Sequence, residues 1–374
     1  MIGESPRVRV VVHDLGRSGV PVVLFRYLEA LPAALRDGVS VLAGWDGPLR
    51  RDLSALGVRV GVVWSSEHRR AGRLVAPLGG RAAALAVAAD VRRAARRLPT
   101  PDVVVWHGAG SLQLTGARPE VAASVVHLHE LDVALGRSVA PQVLRAELER
   151  ARTVAVVTPE VGPALERYCG WVGSSVVVPG CADRVDATGR EAPTTGAVVG
   201  IGAPDWRKGA DRLVAVAAEL RRRGVSTPVR WIGGRPSGRE QWWVDAASVV
   251  EWDESTDQPW SRAGSVAVVV VPSREDPLPL VVLEAGARGL PVVAAATGGL
   301  PALLAEGRGT VVDAGDLSSL VDAVQEYLGD PAAAAAAGAG LREWIRAGFD
   351  PDVVGARWWA TVSGSEDSSA RPVH

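Results

Sequence analysis

Short valine-rich runs of strand length recur along the chain, separated by longer stretches whose apolar positions return every three to four residues. This alternation predicts parallel strands joined by crossover helices. In the first half, strands are expected at 8–13, 39–43, 58–63, 103–106, 125–128, 154–157 and 176–178, with helices at 20–35, 81–98, 140–150 and 159–168. A polar, loop-forming stretch at 182–196 breaks the pattern, and its composition suits a linker. The alternation then resumes, with strands at 197–202, 229–233, 248–252, 266–271, 291–295 and 310–312. Helices are expected at 209–223, 279–288, 317–328 and 332–346. A last helical segment, 350–362, carries Trp358 and Trp359 and is too apolar to be left in solvent. The organisation expected is therefore an N-terminal α/β domain over 1–185, to which 350–362 docks back, a C-terminal α/β domain over 186–349, and a disordered tail over 363–374.

At 374 residues, two full cores fit comfortably. The net charge of −1 gives no long-range attraction to phosphate backbones, so nucleic acid is not an expected partner. No run reaches the roughly 18 apolar residues of a membrane helix, and the start has neither the basic residues nor the long apolar core of a secretory signal. The expectation is a cytoplasmic protein, a reading that stays compatible with peripheral membrane contact. Cys169 and Cys181 are too few for a disulfide framework.

Two segments carry candidate chemistry. Asp205-Trp206-Arg207-Lys208-Gly209-Ala210-Asp211 follows a strand and opens a helix. Cations there oppose the helix dipole, so Arg207 and Lys208 call for an anionic partner, and a diphosphate is the natural one. Lys208 is the single lysine in a chain that otherwise uses arginine, which argues for a compact point charge at this spot. The second segment runs from Pro272 to Gly286. A buried strand ends, a loop carries Glu275 and Asp276, and Pro279 begins a helix whose first free amides belong to Leu280 and Val281. Ligands of parallel sheets bind at such strand ends. Taken singly, Asp276 reads more often as a cap or turn residue, and Glu284 about equally as a helix-surface partner of Arg288.

In this order the motifs resemble the retaining glycosyltransferases of family four, and the likeness runs over nearly the whole chain. The resemblance implies the GT-B fold: two Rossmann-like domains facing across a cleft, with a C-terminal helix returning to the first. It also implies transfer of a sugar from a nucleotide diphosphate sugar to an acceptor hydroxyl, with retention and without a metal or other cofactor. Lys208-Gly209 would then bind the donor diphosphate together with Arg207, Leu280 and Val281. Asp276 would meet the transferred sugar, and Glu284 the ribose hydroxyls. In the first half, Gly16-Arg17-Ser18-Gly19-Val20-Pro21 is similar to the family's glycine-rich loop, which places Gly19 beside the donor. Leu128-His129-Glu130 matches its His-Glu pair, which gives His129 the donor sugar. Thr297-Gly298-Gly299-Leu300-Pro301 looks like its Gly-Gly turn, and Pro179-Gly180-Cys181-Ala182-Asp183 like the element closing the first domain.

The chain departs from the family at three points. Gly202 and Ala203 stand where an arginine is usual, Asp276 replaces a glutamate one bond of ~1.5 Å longer, and Pro279 replaces a glycine. No Asp-x-Asp stands alone at a strand end, and no histidines or cysteines have metal-ligand spacing, so no metal is expected. An epimerase of the same fold and a non-catalytic sugar-nucleotide-binding protein are the alternative functions. Acceptor choice is expected in the N-terminal loops, including 67–73.

Overall fold

A computed structural model of the 374-residue chain describes residues 5–64, 80–117, 122–185, 196–237 and 249–365. The segment 67–73, most of the expected linker and nearly all of the expected tail lie outside the described residues. The chain divides into two compact units, Met1–Cys181 with Pro351–His374, and Ala182–Asp350.

In the first unit the order is β1 (Val8–Asp14), α1 (Gly19–Ala30), α2 (Ala33–Arg36), β2 (Val39–Trp45), α3 (Leu49–Ala55), β3 (Arg59–Trp64), α4 (Gly80–Ala95), β4 (Val103–His107), a 3-10 segment (Ala109–Ala117) and β5 (Ala123–Leu128). There follow α5 (Asp132–Ser138), α6 (Pro141–Arg150), β6 (Thr153–Val156), α7 (Val161–Cys169) and β7 (Val176–Val177). The described strands form one parallel sheet in the order β3-β2-β1-β4-β5-β6-β7. Its central strands are buried on both faces, which is why they read as unbroken valine runs rather than as alternation.

The helix expected over 20–35 is divided. Leu31, ahead of Pro32, is held extended at φ −71° and ψ 142°, as a residue before proline must be, and a separate short turn follows. Helices α3 and α5 and the 3-10 segment have no counterpart in the sequence expectation. They are short, and two helical turns do not establish a 3.6-residue period.

The second unit contains β8 (Ala197–Ile201), α8 (Ala210–Arg222), β9 (Val229–Ile232), β10 (Glu251–Asp253), α9 (Pro259–Ala263), β11 (Val266–Val271), α10 (Leu280–Ala287), β12 (Val292–Ala295), α11 (Leu300–Leu303), β13 (Thr310–Val312), α12 (Leu317–Gly329) and α13 (Pro331–Gly348). Its sheet is also parallel, in the order β10-β9-β8-β11-β12-β13. Leu213, Val216 and Leu220 of α8, Trp231 of β9 and Leu320, Val321 and Val324 of α12 pack on Val198, Val268 and Val270 to make the core. β10 begins three residues later than expected. Arg230 on β9 explains the pairing, since its guanidinium donates to Asp253 at 2.6 Å and lies 3.6 Å from Glu251.

The last helix, α14 (Pro351–Ser363), belongs to the first unit. Gly355 lets it approach α1 closely, because a Cβ there would lie 2.8 Å from that of Ala30. Trp358, 1% exposed, stacks on Tyr27 with ring centroids 5.5 Å apart. Arg152 donates to the carbonyl of Val362 at 2.8 Å.

Candidate active site

In the second unit, two strand-to-helix loops at the carboxyl ends of neighbouring strands β8 and β11 meet. The loop after β8 is a turn fixed by Asp205, whose carboxylate accepts the amide of Lys208 at 2.8 Å. Gly209 leaves that turn at φ +72°, and a Cβ on it would lie 2.1 Å from the carbonyl oxygen of Pro272. Only glycine allows both the left-handed conformation and this approach to the second loop.

Several contacts bind the loops together. The backbone amide of Arg274 donates to the carbonyl of Arg207 at 2.8 Å. The guanidinium of Arg207 returns a bond to the carbonyl of Glu275 at 3.1 Å. Arg274 forks onto Asp211, in the first turn of α8, at 2.7 and 2.6 Å, and lies over the ring of Trp206. Finally, the ammonium of Lys208 donates to the carboxylate of Asp276.

The anionic partner that Lys208 calls for is thus present within the protein. Asp276 is 5% exposed, so its charge depends on that ammonium, while the Lys208 side chain keeps 22% of its surface open. Arg207 has its guanidinium on a loop carbonyl, where it braces the Asp276 segment.

Asp276 is also held from behind. Gly298 turns at φ +50° with its α-carbon so close that a Cβ would lie 2.1 Å from the carbonyl oxygen of Asp276, and Gly299 donates to the carbonyl of Pro277 at 2.8 Å. The resemblance to a Gly-Gly turn therefore has a steric basis. Pro279, extended at φ −64° and ψ 119°, caps α10, so the amides of Leu280 and Val281 in its first turn have no carbonyl one turn back inside the helix.

Glu284 lies one turn further along α10. Its carboxylate accepts the indole N–H of Trp260 at 2.8 Å. Arg288 forks its guanidinium onto Asp183 at 2.8 and 2.6 Å, donates to the backbone carbonyl of Glu284 at 2.9 Å and covers the Trp260 ring at 4.9 Å. Trp260 lies in no motif, and Asp211 and Arg274, although inside the two segments, were assigned no role from sequence. Their roles follow from side chains that reach across from other elements.

The remaining candidates lie in the first unit. Gly19 begins α1, with open space where a side chain would be. His129 follows the end of β5 and is joined there by His107 and His127, which stand opposite each other in the β4–β5 register. The three ring centroids are 4.3 to 5.1 Å apart. Burial holds the imidazolium pKa of all three well below the ordinary histidine value, that of His127 at about 4, and the rings disfavour one another's charge at His107 and His129. Sequence spacing gave no sign of this cluster. The Nε2 of His129 is itself buried against the other two rings.

Two parallel units of Rossmann type, with the final helix packed in the first, define a GT-B protein. Residues 194–330 match the family described as glycosyl transferases group 1. The match lies within the second unit.

It is 33% identical over 176 residues to the GDP-mannose-dependent alpha-(1-6)-phosphatidylinositol monomannoside mannosyltransferase of Mycolicibacterium smegmatis, a stretch covering 43% of this chain and 46% of that one. Over 131 residues it is 46% identical to the D-inositol 3-phosphate glycosyltransferase of the same organism, covering 34% and 25%. The chain thus spans less than half the length of these curated relatives. Anabaena HepE in complex with UDP-glucose superposes with a TM-score of 0.73 at 18% identity, over 96% of this chain and 99% of that one.

Proposed function

We propose that the chain is a retaining glycosyltransferase that moves a sugar from a nucleotide diphosphate sugar to an acceptor hydroxyl. The observation that carries this reading is the Lys208–Asp276 pair beside the open N-terminus of α10. Lys208 exchanges Asp276 for the donor diphosphate, and the amides of Leu280 and Val281 share that charge. Asp276, released, accepts hydrogen bonds from hydroxyls of the transferred sugar. Glu284, steadied by Trp260, takes the ribose hydroxyls.

As the bond from the anomeric carbon to the diphosphate oxygen breaks, a bond from that carbon to the acceptor oxygen forms, and the acceptor proton passes to the leaving oxygen. Negative charge grows where Lys208 and the helix amides stand, and stabilising it is commonly the largest electrostatic contribution to such chemistry. Gly19 is kept as a donor-side residue on the family resemblance. Arg207 is assigned to bracing the Asp276 loop, and His129 is left out of the sugar contacts.

No described helix is long and apolar enough to cross a membrane. We place the reaction in the cytoplasm and leave peripheral membrane contact to the acceptor side. A panel of nucleotide sugars, beginning with GDP-mannose and UDP-glucose, tests the reading through binding and slow donor hydrolysis. Binding of none of them, with no hydrolysis, refutes it. A product formed without any acceptor and without hydrolysis identifies an epimerase instead.

A further inference from the structure

The histidine cluster of the first unit has no part in the proposed transfer, and its hydrogen bonding is incomplete in a specific way. Carbonyl oxygens only accept, so the bonds from His107 Nε2 to Val20 O at 3.1 Å and from His127 Nε2 to Val178 O at 3.0 Å place the ring proton on Nε2 in both residues. Each Nδ1 is then left with a lone pair. Both of these atoms and His129 Nε2 are buried without a hydrogen-bond partner among the described residues. Three buried, unsatisfied polar atoms at one place are costly and require a common explanation.

From this geometry we infer that His107, His127 and His129 form a binding site for a borderline divalent transition-metal ion, of which zinc is the representative. The three rings offer ligand atoms within 4.8 Å of one another. Bonds of about 2.0–2.1 Å to a tetrahedral ion would bring those atoms to about 3.3 Å, a movement of roughly 1 Å per ring. Neutral imidazole nitrogen suits zinc, cobalt, nickel or copper, and disfavours the oxygen-seeking magnesium and manganese.

The surroundings have the features of a supported site. Two ligands are oriented by Nε2–H bonds to backbone carbonyls, the arrangement that fixes tautomer and ring direction in metal-binding histidines. Glu130 accepts the amide of His129 at 2.8 Å and that of Ala109 at 2.9 Å, which clips the end of β5 to the segment after β4 and adds a negative charge next to the third ligand. Tyr27 stacks on His127, with ring centroids 6.0 Å apart, and closes one side. Three protein ligands leave a fourth position for solvent. The ion would tie together the carboxyl ends of two adjacent strands.

The test uses the full chain, stripped of metal and titrated with Co2+ and then Zn2+. The expected result is one equivalent of Co2+ with the ligand-field absorption of a low-coordinate imidazole site, its displacement by Zn2+, and a melting temperature that rises with Zn2+ concentration. X-ray absorption of the zinc form should show three imidazoles. His107→Gln and His129→Gln should each weaken binding at least 10-fold, and a chain with both His68→Ala and His374→Ala should bind as the parent does. Because His107 is fully buried, its variant is judged only if its circular dichroism is unchanged; the half-buried His129 supplies the second case. One water could instead donate to His107 and His127 and accept from the other tautomer of His129. Absence of stoichiometric uptake, fewer than three imidazoles on the ion, or equal binding by folded His129→Gln overturns the metal assignment.

Discussion

The ammonium of Lys208 is joined to the carboxylate of Asp276, so the chain's only lysine is neutralised by the residue next to which a donor sugar would lie. Each of the two charges is stabilised by the other until a ligand separates them.

Lys208→Ala should therefore act on two quantities. Turnover should fall about 100- to 1,000-fold, as on loss of one electrostatic donor to a developing anion. Stability should fall by about 1.5–3 kcal/mol, because a largely buried carboxylate loses its charged partner. A double variant, Lys208→Met with Asp276→Leu, should regain much of the melting temperature without regaining turnover. Thermal melts and donor hydrolysis measured on both proteins check this, and near-normal turnover in Lys208→Ala would remove that residue from the site.

Glu284→Gln should chiefly weaken nucleotide binding, since ribose hydroxyls do not change charge during reaction and the loss is shared by ground and transition states. Trp260→Phe keeps a ring beneath Arg288 but withdraws the N–H that fixes Glu284. The net worth of one hydrogen bond, about 0.5–1.5 kcal/mol, predicts an affinity lower by about 2- to 12-fold. Calorimetric titration with a nucleoside diphosphate measures both, and an unchanged affinity in Glu284→Gln would contradict the ribose assignment.

Adding magnesium or manganese to chelator-treated protein should not raise turnover, because on the proposed reading a lysine and a helix N-terminus take the charge of the leaving diphosphate. Assays with and without each ion decide the matter. Rescue by magnesium would expose a missing hard-cation site, whereas rescue by zinc alone would point to the histidine cluster.

Trp358→Ala should destabilise the protein by about 3–5 kcal/mol, the usual range for emptying a buried tryptophan site, and truncation after Gly348 should do so more severely. Chemical denaturation is the measurement. A truncated chain as stable as the intact one would show that α14 contributes nothing to the first core.

Much of this architecture was legible in the sequence because parallel strands buried on both faces must be apolar throughout. The runs around Val10, Val41, Val105 and Val269 therefore stand out with no help from tertiary context. Lys208 stood out as the single lysine at a strand-to-helix loop, whereas Asp276 and Glu284 were picked out only through the spacing of the family they resemble. Relations between distant segments were not. The Trp260–Glu284 bond and the Arg288–Asp183 fork depend on side-chain direction, which no local pattern encodes.

The three histidines were missed because β4 was expected to stop at Trp106. Extending it by one residue puts His107 opposite His127, the last residue but one of β5, in a parallel pair, and histidines near the ends of two adjacent strands are the signal that was available.

The amide of Ala182, the first residue of the second unit, donates to the carbonyl of Phe349, its last but one, at 3.0 Å. Topologically, then, that unit is an insertion whose entry and exit lie side by side. Its ends could be joined by a short peptide and new termini opened in a surface turn elsewhere, giving a circularly permuted version of the fold. The interrupted first unit could likewise be spliced shut with a few residues between Cys181 and Pro351. The course of the chain thus makes each unit separable from the other at a single place.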